Sequence, residues 1–122
     1  MIMSFTWKDF HDVGIHLDTF SEEAYKRSAI GRYYYACFNL TKIYFEREHF
    51  IIGHDQNPHE IIIKYLEYYE IEKEVELSKL LNNLRKYRNN ADYDSNFRKN
   101  NIKKAKKTAE EIFLLLDELN NS

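Results

Sequence analysis

Proline and glycine are nearly missing: only Pro58, Gly14, Gly31 and Gly53 interrupt 122 residues. Long stretches are therefore free to be helical, and a turn-rich β fold is disfavoured. Cys37 stands alone, so no intrachain disulfide can form; this fits a reducing compartment, with the thiol read as a small buried apolar group. No apolar run approaches the length that spans a bilayer, and the opening Met1-Ile2-Met3-Ser4-Phe5-Thr6-Trp7-Lys8 lacks a signal peptide's basic-then-apolar order. A cytoplasmic protein without membrane contact is expected. Neither sign of charge dominates: the formal balance is −2, so no global field draws in nucleic acid or anionic lipid, and any such contact must be local. Metal-ligand spacing is missing too. His49, His54 and His59 fall five apart, which does not align them on one helix face, and there is no HExxH. Neither a metal nor a cofactor is expected.

What is present is aromatic and helical. Ten tyrosines and eight phenylalanines exceed what a plain helical bundle needs, and tyrosine suits surfaces that are partly wet. The length fits a single domain over residues 1–122. Thr6 with Asp9 is an acidic variant of a capping box and starts a short helix from Trp7 to about Leu17. Ser21 then caps a second helix, with Phe20 and Tyr25 as a hydrophobic staple. Ile30, Tyr34, Phe38, Thr41 and Phe45 give that helix an apolar stripe, widened by Tyr33, Tyr35, Cys37 and Tyr44, so it is expected at the centre. Gly31 within it costs about 1 kcal/mol against alanine, which points either to another backbone close by or to a tolerated surface position.

Asn57, Pro58 and Glu60 read as N-cap, first position and capping-box partner of a third helix, which turns near Tyr69 to Lys73. Leu77, Leu81, Leu84 and Ala91 mark a fourth helix running into Tyr93, and Asp94-Ser95-Asn96 breaks it. Ile102, Ala105, Ala109, Ile112, Leu116 and Leu119 mark a fifth. The fold class is all-α, an up-and-down bundle of about five helices.

Two segments stand out: Arg27-Ser28-Ala29-Ile30-Gly31-Arg32-Tyr33-Tyr34-Tyr35-Ala36-Cys37-Phe38, and Leu84-Arg85-Lys86-Tyr87-Arg88-Asn89-Asn90-Ala91-Asp92-Tyr93-Asp94. In order, separation and residue type, across about residues 20 to 95, they resemble the second and fourth helices of the small prokaryotic HEPN-domain proteins. Asn57-Pro58-His59 lies where that family often opens its third helix with a histidine. The resemblance implies a homodimer whose fourth helices face each other across a shared polar cleft. It also implies metal-independent ribonuclease chemistry where an RxxxxH motif is complete. There the arginine stabilises charge on the phosphate under attack and the histidine moves protons.

This chain departs at the decisive position, because the histidine slot after Arg88 holds Tyr93. A phenol with a pKa near 10 is a poor proton acceptor at neutrality, which argues against vigorous ribonuclease activity. Asp92 can substitute as a weak base, since Arg88 lies one turn from it; equally, the two can pair and do no more than fix packing or dimer register. Asn89 and Tyr93 share that ambiguity. Arg32 points either into the same cleft or out to water with its stem on the core, and Tyr33, Tyr34 and Tyr35 must divide between core and interface. Tyr35 and His59 complete the candidate cleft, His59 as a hydrogen-bonding helix-start residue. Arg98, Lys99, Lys103, Lys104, Lys106 and Lys107 form a run without an acid, read as phosphate-contacting or as a solvated face.

The expected function is one half of a two-component toxin–antitoxin or phage-defence system, with a dimeric cleft that takes a nucleotide, RNA or a minimal nucleotidyltransferase or antitoxin partner. The alternatives are a metal-independent endoribonuclease toxin using Arg88 with Asp92 or Tyr93, and a non-catalytic helical scaffold.

Overall fold

Five apolar stripes close over one another in the computed structural model, which describes residues 4–121. Met1, Ile2 and Met3 of the opening segment, and Ser122 of the polar end, lie outside the described residues. The helices are α1 (Lys8–Leu17), α2 (Glu23–Glu48), α3 (Pro58–Tyr68), α4 (Glu72–Tyr93) and α5 (Asn101–Asn120), with no strand among the described residues. The protein is a small helical bundle. No helix among the described residues is long and apolar enough to cross a membrane.

The longest helix, α2, packs against all four others. It is buried on most of its circumference through Ala29, Ile30, Tyr33, Cys37, Thr41 and Phe45, as expected of an axis rather than a surface helix. From α4 come Leu77, Leu81 and Leu84, and from α5 Ala105, Ala109 and Ile112, all at zero exposure. Alanines at two of the α5 positions allow that helix to lie close to α2. Cys37 is buried with its Sγ facing the Ala109 carbonyl, and burial pushes its thiol pKa well up, as suits a packing residue.

The helix ends follow local chemistry, with one correction. The Asp9 carboxylate accepts from the Thr6 backbone N–H at 3.0 Å, one half of the expected capping box. The Asn57 side chain accepts from the Glu60 N–H at 3.4 Å, and Pro58 opens α3. Glu70, at φ 56, turns the chain between α3 and α4. Ser21, however, does not cap α2: its hydroxyl donates to the Glu22 carboxylate, and Glu22 takes the cap position without a side-chain bond. The approach to α2 is held instead by Lys26, whose ammonium reaches both the Asp18 carbonyl (2.5 Å) and carboxylate (2.9 Å). Phe20 and Tyr25 still stack at 4.7 Å.

A Tyr–Glu–His cluster ties the far end of α2 to the start of α4. Glu74 is 1% exposed, accepts from the Tyr44 hydroxyl at 2.5 Å, and lies 2.9 and 3.0 Å from His49 Nε2, whose ring stacks on Tyr69. A buried carboxylate is tolerated because both oxygens are partnered.

The close helix crossing belongs to Gly14, not Gly31. A Cβ on Gly14 would lie 2.6 Å from Tyr33 Cε1 and 3.1 Å from the Ala29 carbonyl, whereas one on Gly31 would meet nothing within 4 Å. Gly14→Ala is predicted to destabilise the protein by about 1–3 kcal/mol, since the buried Tyr33 ring cannot retreat freely. Gly31→Ala is predicted to stabilise it by up to about 1 kcal/mol. Urea unfolding of both variants checks the pair, and equal effects would contradict this assignment of the crossing.

Candidate functional site

The last turn of α4 is held from outside. Arg27 on α2 donates from Nη1 to the Ala91 carbonyl (3.0 Å) and the Asp94 carbonyl (2.7 Å), and from Nη2 to the Ser95 carbonyl (3.2 Å). Its Nε pairs with Glu23, and its guanidinium lies over the Phe97 ring. Carbonyls at a helix C-terminus lack intrahelical donors and carry the negative end of the helix dipole, so a guanidinium there satisfies both needs. Asn90 clasps the following loop: its amide donates to Asp94 Oδ2 and the Asn96 carbonyl, and its oxygen accepts from the Arg98 N–H and Asn101 Nδ2.

On this fixed turn stands Arg88, with a side chain only 17% exposed. Its guanidinium carbon lies 5.5, 5.4 and 5.5 Å from the ring centres of Tyr34, Tyr35 and Tyr93. Nη2 donates to the Tyr35 hydroxyl at 2.9 Å, and Nη1 makes a long 3.4 Å bond to Asn89 Oδ1. Nε lies 2.8 Å from Asp92 Oδ2, an ion pair whose angle does not align it as a hydrogen bond. Burial opposes the charge, but Tyr35, Asp92 and Tyr93 together hold the guanidinium pKa above its ordinary value. The cluster therefore gathers Arg88, Asp92, Tyr93, Tyr35 and Asn89, all singled out in the sequence. Tyr93 is 75% exposed and Tyr35 38%, so the cluster opens to solvent.

Behind it lies His59, from the start of α3. Its Nδ1 is 2.9 Å from the Tyr34 hydroxyl, in a hydrogen bond that links the ring to the tyrosine beneath Arg88. Only 4% of His59 is exposed, and Nε2 is buried without an aligned partner. Burial above all, then the positive charge of Arg85, lowers its pKa to about 4, against the pull of the Asn82 amide. Burial likewise raises Tyr34 to about 12, so both groups are neutral at pH 7. His59 is an enclosed support of the cluster rather than a group on its open side.

Arg32 stands apart from the others. It is exposed and lies over the Phe10 ring of α1 at 5.0 Å, so it does not line the Arg88 cluster. Of the tyrosine triplet, Tyr33 is fully buried, Tyr34 nearly so, and Tyr35 faces out. Arg27, Asn90 and Tyr34 organise the cluster but were not marked as site residues. All three lie inside the two motifs, Arg27 and Tyr34 in the first and Asn90 in the second. No group of three or more His, Cys, Asp or Glu among the described residues is placed to hold a metal ion. Comparison with family models, curated proteins and solved structures finds no match to this chain.

The buried imidazole makes stability depend on pH. Unfolded, His59 titrates near 6.5; folded, near 4. Between those limits the unfolded chain binds more protons, so stability is predicted to fall by on the order of 3 kcal/mol as pH drops through that window. His11, also lowered by burial, acts in the same direction. Urea midpoints measured near pH 7, 6 and 5 check this, with His59→Gln expected to flatten the dependence. An NMR titration placing the folded His59 pKa at about 6 or above would contradict it.

Proposed function

We propose that this chain is a HEPN-like homodimeric module of a two-component toxin–antitoxin or defence pair. In this reading its Arg88 cluster binds a phosphate-bearing ligand, a nucleotide or RNA end, or a matching surface of a nucleotidyltransferase or antitoxin partner. The observation that carries it is the state of the Arg88 guanidinium: largely shielded, ringed by three tyrosines, and balanced by one half-open carboxylate. An arginine held this way is already oriented and partly desolvated. An incoming phosphate has only to displace Asp92, which is 33% exposed, and gains a charge-assisted bidentate contact.

The same geometry disfavours the endoribonuclease alternative. General-base catalysis needs a group within reach of the 2′-hydroxyl that accepts a proton near neutrality. Asp92 is paired with Arg88, Tyr93 lies against the guanidinium, and His59 is enclosed and weakly basic. Chemistry is then left to the partner. The outward side of the cluster, with Tyr35, Tyr93 and the bare Gly31 one turn before Tyr35, is the face on which a second copy would approach, and the two clusters would line one cleft.

Sedimentation equilibrium tests this. The wild-type chain is predicted to be a dimer, with Tyr35→Ala and Arg88→Glu each weakening it about tenfold or more, roughly 1.4 kcal/mol. A monomer at all concentrations would remove the reading. RNA cleavage abolished by Arg88→Ala would replace it with the endoribonuclease, and dimerisation indifferent to both substitutions would leave the plain scaffold.

A further inference from the structure

A second surface carries its own chemistry. From Ser95 to Ala109 there is no acidic residue, while Arg98, Lys99, Lys103, Lys104, Lys106 and Lys107 all occur there. Arg98, Lys99, Lys103, Lys104 and Lys107 are exposed, as is Lys86 on α4, and none of the six makes an ion pair within 4.0 Å among the described residues. Lys106 turns aside, half-buried near His11. In a chain whose overall balance is −2, so complete a segregation of positive charge is local by construction.

The surface is also concave. Three shallow hollows adjoin along it. One is lined by Lys86, Tyr87, Asn90, Arg98, Asn101 and Lys104, and the next shares Arg98, Asn101 and Lys104 with it and adds Lys99 and Asn100. The third continues through Lys99, Asn100 and Lys103 to Lys26 and Asp18. Asp18 is the sole carboxylate on the path, and it is taken by Lys26 at 2.9 Å. Asn90 and its hydrogen bonds to the Arg98 N–H and Asn101 set the shape of the first two hollows.

We infer that this groove binds the phosphodiester backbone of a single-stranded nucleic acid. Unpaired lysines spaced along a channel, with asparagine amides between them, match a repeating monoanion rather than a single carboxylate. A lipid surface would call for apolar side chains beside the cations. The one aliphatic residue in their lining, Ile102, is only 6% exposed, and none of the exposed large apolar residues lines these hollows; Leu114, the one on α5, is in its C-terminal half. An aromatic edge favours a single strand, whose base faces are open for stacking, over a duplex: Tyr87 lines the first hollow.

The groove is separate from the Arg88 cluster. Lys86 precedes Arg88 by two residues, roughly 200° around the helix, so the inference does not rest on the dimeric cleft. A chain that proved monomeric would still bind a single strand here, and the two ideas fail separately.

Fluorescence anisotropy of the full chain with a labelled, unstructured single-stranded RNA tests the inference. Binding is expected at low salt and should weaken steeply as salt rises. The triple variant Lys103→Glu, Lys104→Glu, Lys107→Glu should bind about tenfold more weakly or worse, with a log–log salt slope shallower by about 2. Circular dichroism establishes that the variant is folded; if it is not, the triple change to Gln replaces it with the same expected direction. The charge-matched triple Lys64→Glu, Lys73→Glu, Lys79→Glu should retain most of the affinity. The inference is overturned by no binding to the RNA at low salt, by equal losses in the two triples, by duplex DNA binding tighter than single-stranded RNA, or by preferential capture on anionic vesicles.

Discussion

One guanidinium holds the business end of this bundle together. Arg27 reaches from the first turns of α2 to three carbonyls at and beyond the end of α4. Helix ends fray where their carbonyls face water alone, and here a charge-assisted donor closes them at the negative end of the helix dipole. Because Glu23 holds Nε and Phe97 supports the plane, the guanidinium has one orientation, and α4 is fixed in register against α2. That register brings Arg88 within reach of Tyr34 and Tyr35. Had α4 slid by one turn, Arg88 would face a different part of α2 and the cluster would not exist.

The tyrosines show how one residue type can serve at several depths. Tyr33 fills the core beside Gly14, and Tyr34 spans from the buried His59 to the Arg88 guanidinium. Tyr35 gives its ring and its hydroxyl to Arg88 at the surface, and Tyr44 bonds the buried Glu74. Each phenol either keeps a polar partner or stays neutral through a raised pKa where burial is deep. Three successive residues thereby connect packing to the candidate site without an intervening loop.

Much of the fold was legible in the sequence. The apolar periodicity of α4 and α5, the Asn57-Pro58 start of α3 and the turn near Glu70 follow from local rules, and the structure has them where those rules put them. The Arg88–Asp92 pair was legible for the same reason, as a contact one helical turn long. What was not legible depends on how one helix lies against another. Nothing local tells Gly14 from Gly31; only the crossing of α1 over Tyr33 does. Ser21 looked like a cap because the reach of Lys26 back to Asp18, which takes over that end, is a tertiary contact. Arg27 and Arg32, five apart on one helix, diverge to Phe97 and Phe10 on different neighbours. The burial of His59 likewise depends on how α3 lies against α2 and α4.

The central physical claim is that Arg27 holds the turn on which the Arg88 cluster is built, and hydrogen–deuterium exchange of Arg27→Ala tests it most directly. Losing charge-assisted bonds to three carbonyls should speed exchange of the amides from about residue 88 to 96 by roughly tenfold or more, with the first turns of α4 unchanged. Unaltered protection over the last turn of α4, in a folded Arg27→Ala protein, would contradict the account.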